Sequence, residues 1–190
     1  YLSQPHPTLS HSTIFENLLI LAETMAKSQA DPTPSLELLI KFMPLFIYSS
    51  QKIIDRHTCF ALNDEEETLD DIHLIILRSG RALTNLAQLQ IPIMQSIELK
   101  TTFLVLSSEM YGEVIFDLRT STFSAKRIQQ LKQLQLVLAK YIVSLISSEE
   151  QSQILENLNR LYTSNTFKDP IIRNISKAQK FLTNQLAKGQ

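Results

Sequence analysis

Apolar residues in this chain recur three and four positions apart, the interval that sets side chains on one face of an α-helix, in one segment after another. Thr13-Ile14-Phe15-Glu16 has the form of a capping box, after which Ile14, Leu18, Leu21, Ala22 and Met25 continue the helical spacing toward Ala30. Asp31-Pro32-Thr33-Pro34-Ser35 predicts a break. Each proline lacks an amide hydrogen and drives the residue before it away from helical backbone angles. The next apolar stretch, 36–60, contains Pro44, whose ring would meet the carbonyl of Ile40, so a kink or division is expected there.

From Leu69 the positions Ile72, Ile76, Ser79, Leu83, Leu86 and Gln90 keep a three-four rhythm that asks for a partner helix. Pro92 suits a first helical position, and Ile93, Ile97, Leu104, Tyr111, Ile115 and Leu118 then fit one helix that is apolar on a second side as well, through Leu99, Phe103, Leu106 and Met110. A hairpin is the competing reading of 101–118, whose two β-branched or apolar runs are separated by 107–112. Ser124 caps an amphipathic helix through Ile128, Leu131, Gln135, Leu138, Ile142 and Leu145. Ser148 with Gln151 forms a capping box for a shorter one through Ile154, Leu155, Leu158, Leu161 and Tyr162. Asp169-Pro170 opens the last, with the stripe Ile171, Ile175, Ala178, Leu182 and Leu186.

These segments predict an all-α fold, an irregular bundle or short helical stack of about seven helices, with a flexible leader at 1–12 and a single helical domain over 13–190. No fixed-length repeat with its marker residues recurs, so tetratricopeptide and ankyrin arrays are not supported. Composition agrees: 44% hydrophobic and 19% charged residues suit a globular body better than a disordered tail or a membrane-embedded bundle. The most apolar stretch, 36–48, is interrupted by Glu37, Lys41 and Pro44, too often for a spanning helix.

Candidate chemistry is sparse. Three glycines, none at phosphate-cradling spacing from another, exclude Walker and dinucleotide loops, and no Gly-x-Ser-x-Gly elbow occurs. The single cysteine, Cys59, excludes an internal disulfide and a cysteine-rich zinc site, and favours a cytoplasmic or other reducing compartment. His57 lies two residues from Cys59 and so projects to another helical face. Asp70 and His73 share a face, but a di-metal bundle needs a second such pair and two further carboxylates. His6 and His11 fall in the leader. No catalytic residue, metal ligand or cofactor is expected. Asn174-Ile175-Ser176 matches the glycosylation sequon.

Charge carries more information. Residues 1–95 hold 6 basic and 11 acidic side chains and residues 96–190 hold 12 and 8, although the whole chain is nearly neutral at −1. Asp64, Glu65, Glu66, Glu67, Asp70 and Asp71 form an acidic run where negative charge suits a helix start. Arg173, Lys177 and Lys180 stand at i, i+4 and i+7 and therefore share a face of the last helix. The expectation is a non-enzymatic protein-interaction domain, an adaptor or scaffold within a larger protein or complex. It would seat a partner helix or peptide in a groove between helices, with Arg173, Lys177, Lys180, Asp64, Glu67 and Asp71 as its contacts. The alternatives are a small helical enzyme or ligand carrier built from sequence-distant residues, and attachment to an anionic membrane through the basic last helix. Nucleic acid is disfavoured, since only Phe181 interleaves the basic positions and tryptophan is absent.

Overall fold

The computed structural model describes residues 7–42, 77–120, 124–163 and 165–189, and among them it is all-helical, with no strand. These residues fall into two compact units, 1–86 and 87–190.

In the first unit α1 spans Pro7–Lys27, α2 is described over 33–42 and α3 over 77–86. The helix begins within the expected leader, six residues before Thr13, because Pro7 can occupy a first helical position at no cost in hydrogen bonds. The Thr13 to Glu16 pattern thus lies inside a helix and does not start one. At its other end α1 closes with a Schellman arrangement: the Ala30 amide donates to the Met25 carbonyl at 2.8 Å and the Gln29 amide to Ala26 at 3.2 Å. Gln29 takes the left-handed position, φ 61°, that glycine usually fills. The expected break follows. The Asp31 carboxylate accepts from the Thr33 hydroxyl at 2.6 Å and the Thr33 amide at 3.1 Å, and these bonds hold its pKa below the ordinary carboxylate value. The Ser35 hydroxyl donates to the Leu18 carbonyl at 2.9 Å, and Leu19, Ala22, Leu36, Leu39, Leu77, Ala82, Leu83 and Leu86 are buried. Asn85 on α3 donates to Glu23 on α1 at 2.6 Å. The expected kink at Pro44 lies outside the described residues. Gln90, expected as the last position of the third stripe, is exposed beyond a helix that stops at 86.

In the second unit a 3₁₀ turn, Pro92–Gln95, precedes α4 (Ile97–Thr120), α5 (Ala125–Ile146), α6 (Gln151–Leu161) and α7 (Asn165–Lys188). Pro92 therefore opens a separate short turn and not the long helix. Ser96 divides them: extended at ψ 139°, it accepts from the Leu99 amide at 3.2 Å as the cap of α4. α4 is the central helix, and α5, α6 and α7 all pack on it. Its residues 101–111 are all buried, which settles the hairpin alternative for 101–118 in favour of a helix. The β-branched and hydroxyl residues that suggested strands are accommodated by bonding back one turn. Thr101 donates to Ile97 at 2.7 Å, Thr102 to Glu98 at 2.9 Å and Ser107 to Phe103 at 2.6 Å, so their hydroxyls enter the core satisfied.

Ser124 caps α5 as expected, accepting from the Arg127 amide at 3.3 Å. The box expected at Ser148 and Gln151 does not form. The Ser148 hydroxyl donates to the Leu145 carbonyl at 2.8 Å, and Glu150 becomes the cap residue of α6 with its carboxylate turned to Lys100 in an ion pair. A hydrogen bond from Asn157 to the Thr101 hydroxyl, 3.1 Å, ties α6 to α4 a second time. α7 starts at Asn165, so Asp169 is an interior exposed residue and Pro170 stands inside the helix. Ile171, Ile175 and Ala178 are buried, and their packing holds the helix while Pro170 forgoes its hydrogen bond to the carbonyl one turn earlier.

Candidate functional site

The last helix is positioned by close contact with α4. A Cβ built on Gly112 would stand 2.6 Å from the Asn174 amide nitrogen, so the missing side chain at 112 is what admits Asn174. Two turns further along α7, the rings of Tyr111 and Phe181 lie 6.4 Å apart at 59°. These contacts turn Ile171, Ile175 and Ala178 inward. Arg173, Lys177 and Lys180 are thereby carried to the opposite side, where all three are exposed on one face. None of them makes an ion pair with any described residue; the ion pairs found among those residues are Lys27 with Glu23 and Lys100 with Glu150.

Two apolar side chains on the same helix are also open to solvent, Ile172 at 44% and Leu186 at 66% exposure. Leu186 was expected to complete the buried stripe; it is exposed, as are all the residues from 183 to 189. The sequon residue Asn174 is half-buried in mid-helix with its amide directed at Gly112, a setting unlike the exposed loop that glycosylation requires. Asp64, Glu67 and Asp71, the acidic members of the expected contact set, lie outside the described residues, as do His57, Cys59, Asp70 and His73.

Sequence reasoning missed a second group. Glu109, Glu113 and Asp117 follow one another at four-residue intervals along α4, and all are buried. Loss of water pushes the Glu109 carboxyl up to about 7. Glu113 is raised well above the ordinary value by burial first, then by the negative charge of Asp117 and of Glu109. Tyr162, just after α6, adds a buried hydroxyl that makes no hydrogen bond among the described residues. Its pKa is raised by burial and, to a smaller extent, by Glu109. The four-residue interval was visible in the sequence, but it signalled burial only once 101–118 was known to be the central helix. No three His, Cys, Asp or Glu side chains among the described residues are placed to hold a metal ion.

A shallow open depression runs along three turns of α5, lined by Ala125, Ile128, Gln129, Lys132, Gln133 and Leu136. No helix among the described residues is long and apolar enough to cross a membrane. Comparison with protein-family models, with curated proteins and with solved structures gave no match. The class that the fold defines is thus an all-α helical protein, one of whose helices carries a solvent-facing row of cations.

Proposed function

We propose that this chain is a helical protein-interaction module, an adaptor or scaffold element, that binds the acidic side of a partner helix or peptide along α7. The observation that carries the reading is the row Arg173, Lys177 and Lys180: three exposed cations on one face of a helix held rigidly from behind, with no ion pair to any described residue. A pre-ordered row costs little further entropy on binding and selects a partner by charge.

Geometry also weighs against a membrane as the primary partner. An interfacial helix sinks its apolar face into the lipid beneath its cations. In α7 the apolar stripe from Ile171 to Ala178 is spent on the core, so the cations would meet lipid with only Ile172 and Leu186 beside them. A protein surface asks for no such unpacking.

The test is affinity capture from the native source with the wild-type chain and with Lys177→Glu/Lys180→Glu. The partner is expected to be retained by the first and lost from the second, with the two proteins equal in helical content. Retention of the partner by both would remove α7 as the site.

A further inference from the structure

We propose that the partner of the α7 face is an amphipathic acidic helix, which pairs with α7 in coiled-coil register along a line from Ile172 to Leu186. This inference rests on the reading of α7 as the face for an acidic partner, and it names that partner's shape and apolar pattern.

The basis is a line of exposed positions at alternating intervals of four and three. Ile172, Ser176, Gln179, Thr183 and Leu186 keep heptad spacing along α7, and every one of them faces solvent. The two ends of the line are large apolar side chains, Ile172 at 44% and Leu186 at 66% exposure, about 21 Å apart at a helical rise. A straight helix drifts by about 20° per heptad from such a line, and left-handed winding around a second helix brings the ends back into register. None of the five residues is charged, and the Thr183 hydroxyl donates to the Gln179 carbonyl at 2.9 Å, so that donor stays satisfied when a partner covers it. Arg173, Lys177 and Lys180 each follow a position of the line by one residue and so run along one edge of it. Acidic side chains on the edge of an opposing helix meet them at the same rise. An extended strand, with same-side residues about 6.6 Å apart, falls out of step with the row. The sequence of α7 also argues against a second α7 as the occupant. Asp169 is the only acidic residue among 165–188, so another copy of that helix would bring cations to cations.

The experiment is binding of the full chain to synthetic peptides of three heptads, blocked at both ends, followed by circular dichroism and titration calorimetry. The acidic probe carries Leu at every a and d position and Glu at every e and g, which serves either chain direction and keeps the peptide from pairing with itself. A second peptide has the same composition in scrambled order, and a third has Lys in place of Glu. The acidic heptad peptide is expected to bind one to one and to gain helix as it binds, and the other two to bind at least about tenfold more weakly. Ile172→Ser/Leu186→Ser, at exposed positions, and Lys177→Glu/Lys180→Glu are each expected to weaken that binding by about tenfold or more while keeping wild-type helicity. The proposal is overturned if the acidic heptad peptide does not bind at up to about 1 mM, or if Ile172→Ser/Leu186→Ser binds it as the wild type does. Binding to anionic lipid vesicles without binding to that peptide overturns it too. The underlying reading fails separately. If the scrambled acidic peptide binds as well as the ordered one and both are lost from Lys177→Glu/Lys180→Glu, the helical register is wrong and the acidic partner stands; if acidic peptides bind that variant as tightly as the wild type, both fall.

Discussion

A carboxyl group placed in the core makes the stability of this protein depend on pH, and the sign follows from Glu109. Its ordinary value is 4.5 and burial raises it to about 7, so between those values the folded chain holds a proton that the unfolded chain has released. The stability tied to this group is fully present below about 4.5 and is lost as pH rises through about 7. Glu109→Gln keeps the shape without the titration. Between pH 5 and pH 8 the wild type is expected to lose on the order of 2 kcal/mol more than the variant, read from urea unfolding at each pH. Glu113, shifted in the same direction, leaves the variant with part of the slope. Gly112 offers a test of packing. Gly112→Ala is expected to change stability by no more than about 1 kcal/mol, since the Asn174 amide can turn aside and the helix gains from alanine. Gly112→Leu cannot be met by moving one amide and is expected to cost about 1–3 kcal/mol in thermal or urea unfolding. Neither residue announced its role in the sequence. A glycine within an apolar helical pattern and an acid four residues from the next are ordinary until a neighbouring helix decides how near it comes.

Helix ends show how local and distant forces compete. Ser124 was legible as a cap because no other described residue bonds its hydroxyl, and the cap is made with the Arg127 amide. Ser148 had the same local credentials, yet its hydroxyl bonds the Leu145 carbonyl while Glu150, at the start of α6, is claimed by Lys100 fifty residues earlier in the chain. Local pattern alone cannot register a partner that far away. α1 ends on a feature that no local rule favours, Gln29 in the left-handed region at φ 61°. A Cβ there is sterically crowded, and glycine removes the crowding. Gln29→Gly is therefore expected to stabilise the protein by about 0.5–1 kcal/mol, measured as a higher midpoint of unfolding. Pro170 makes the complementary point. It looked like the opening of α7, but α7 winds from Asn165 because the buried side chains that follow hold the helix in register.

Taken as a whole, the chain divides its charge, and burial sharpens the division. Of the 8 acidic side chains in residues 96–190, Glu109 and Glu113 lie in the core and are held toward their neutral forms. The solvent-facing excess of cations in that half therefore exceeds the formal count. This is the physical reason to expect association through α7 to weaken with salt, and to expect two reversed charges at Lys177 and Lys180 to abolish capture of the partner.

The helical class, most of the helix positions and the shared face of Arg173, Lys177 and Lys180 follow from periodicity, because an interval of three and four residues sets geometry before any other element arrives. Which stripe positions are sheltered, where α1 and α7 begin, and which acids are stripped of water depend on the neighbouring helices. Leu182 and Leu186 share one stripe, yet Leu186 is left 66% exposed, because burial belongs to the neighbours that cover a side chain and not to its place in a pattern.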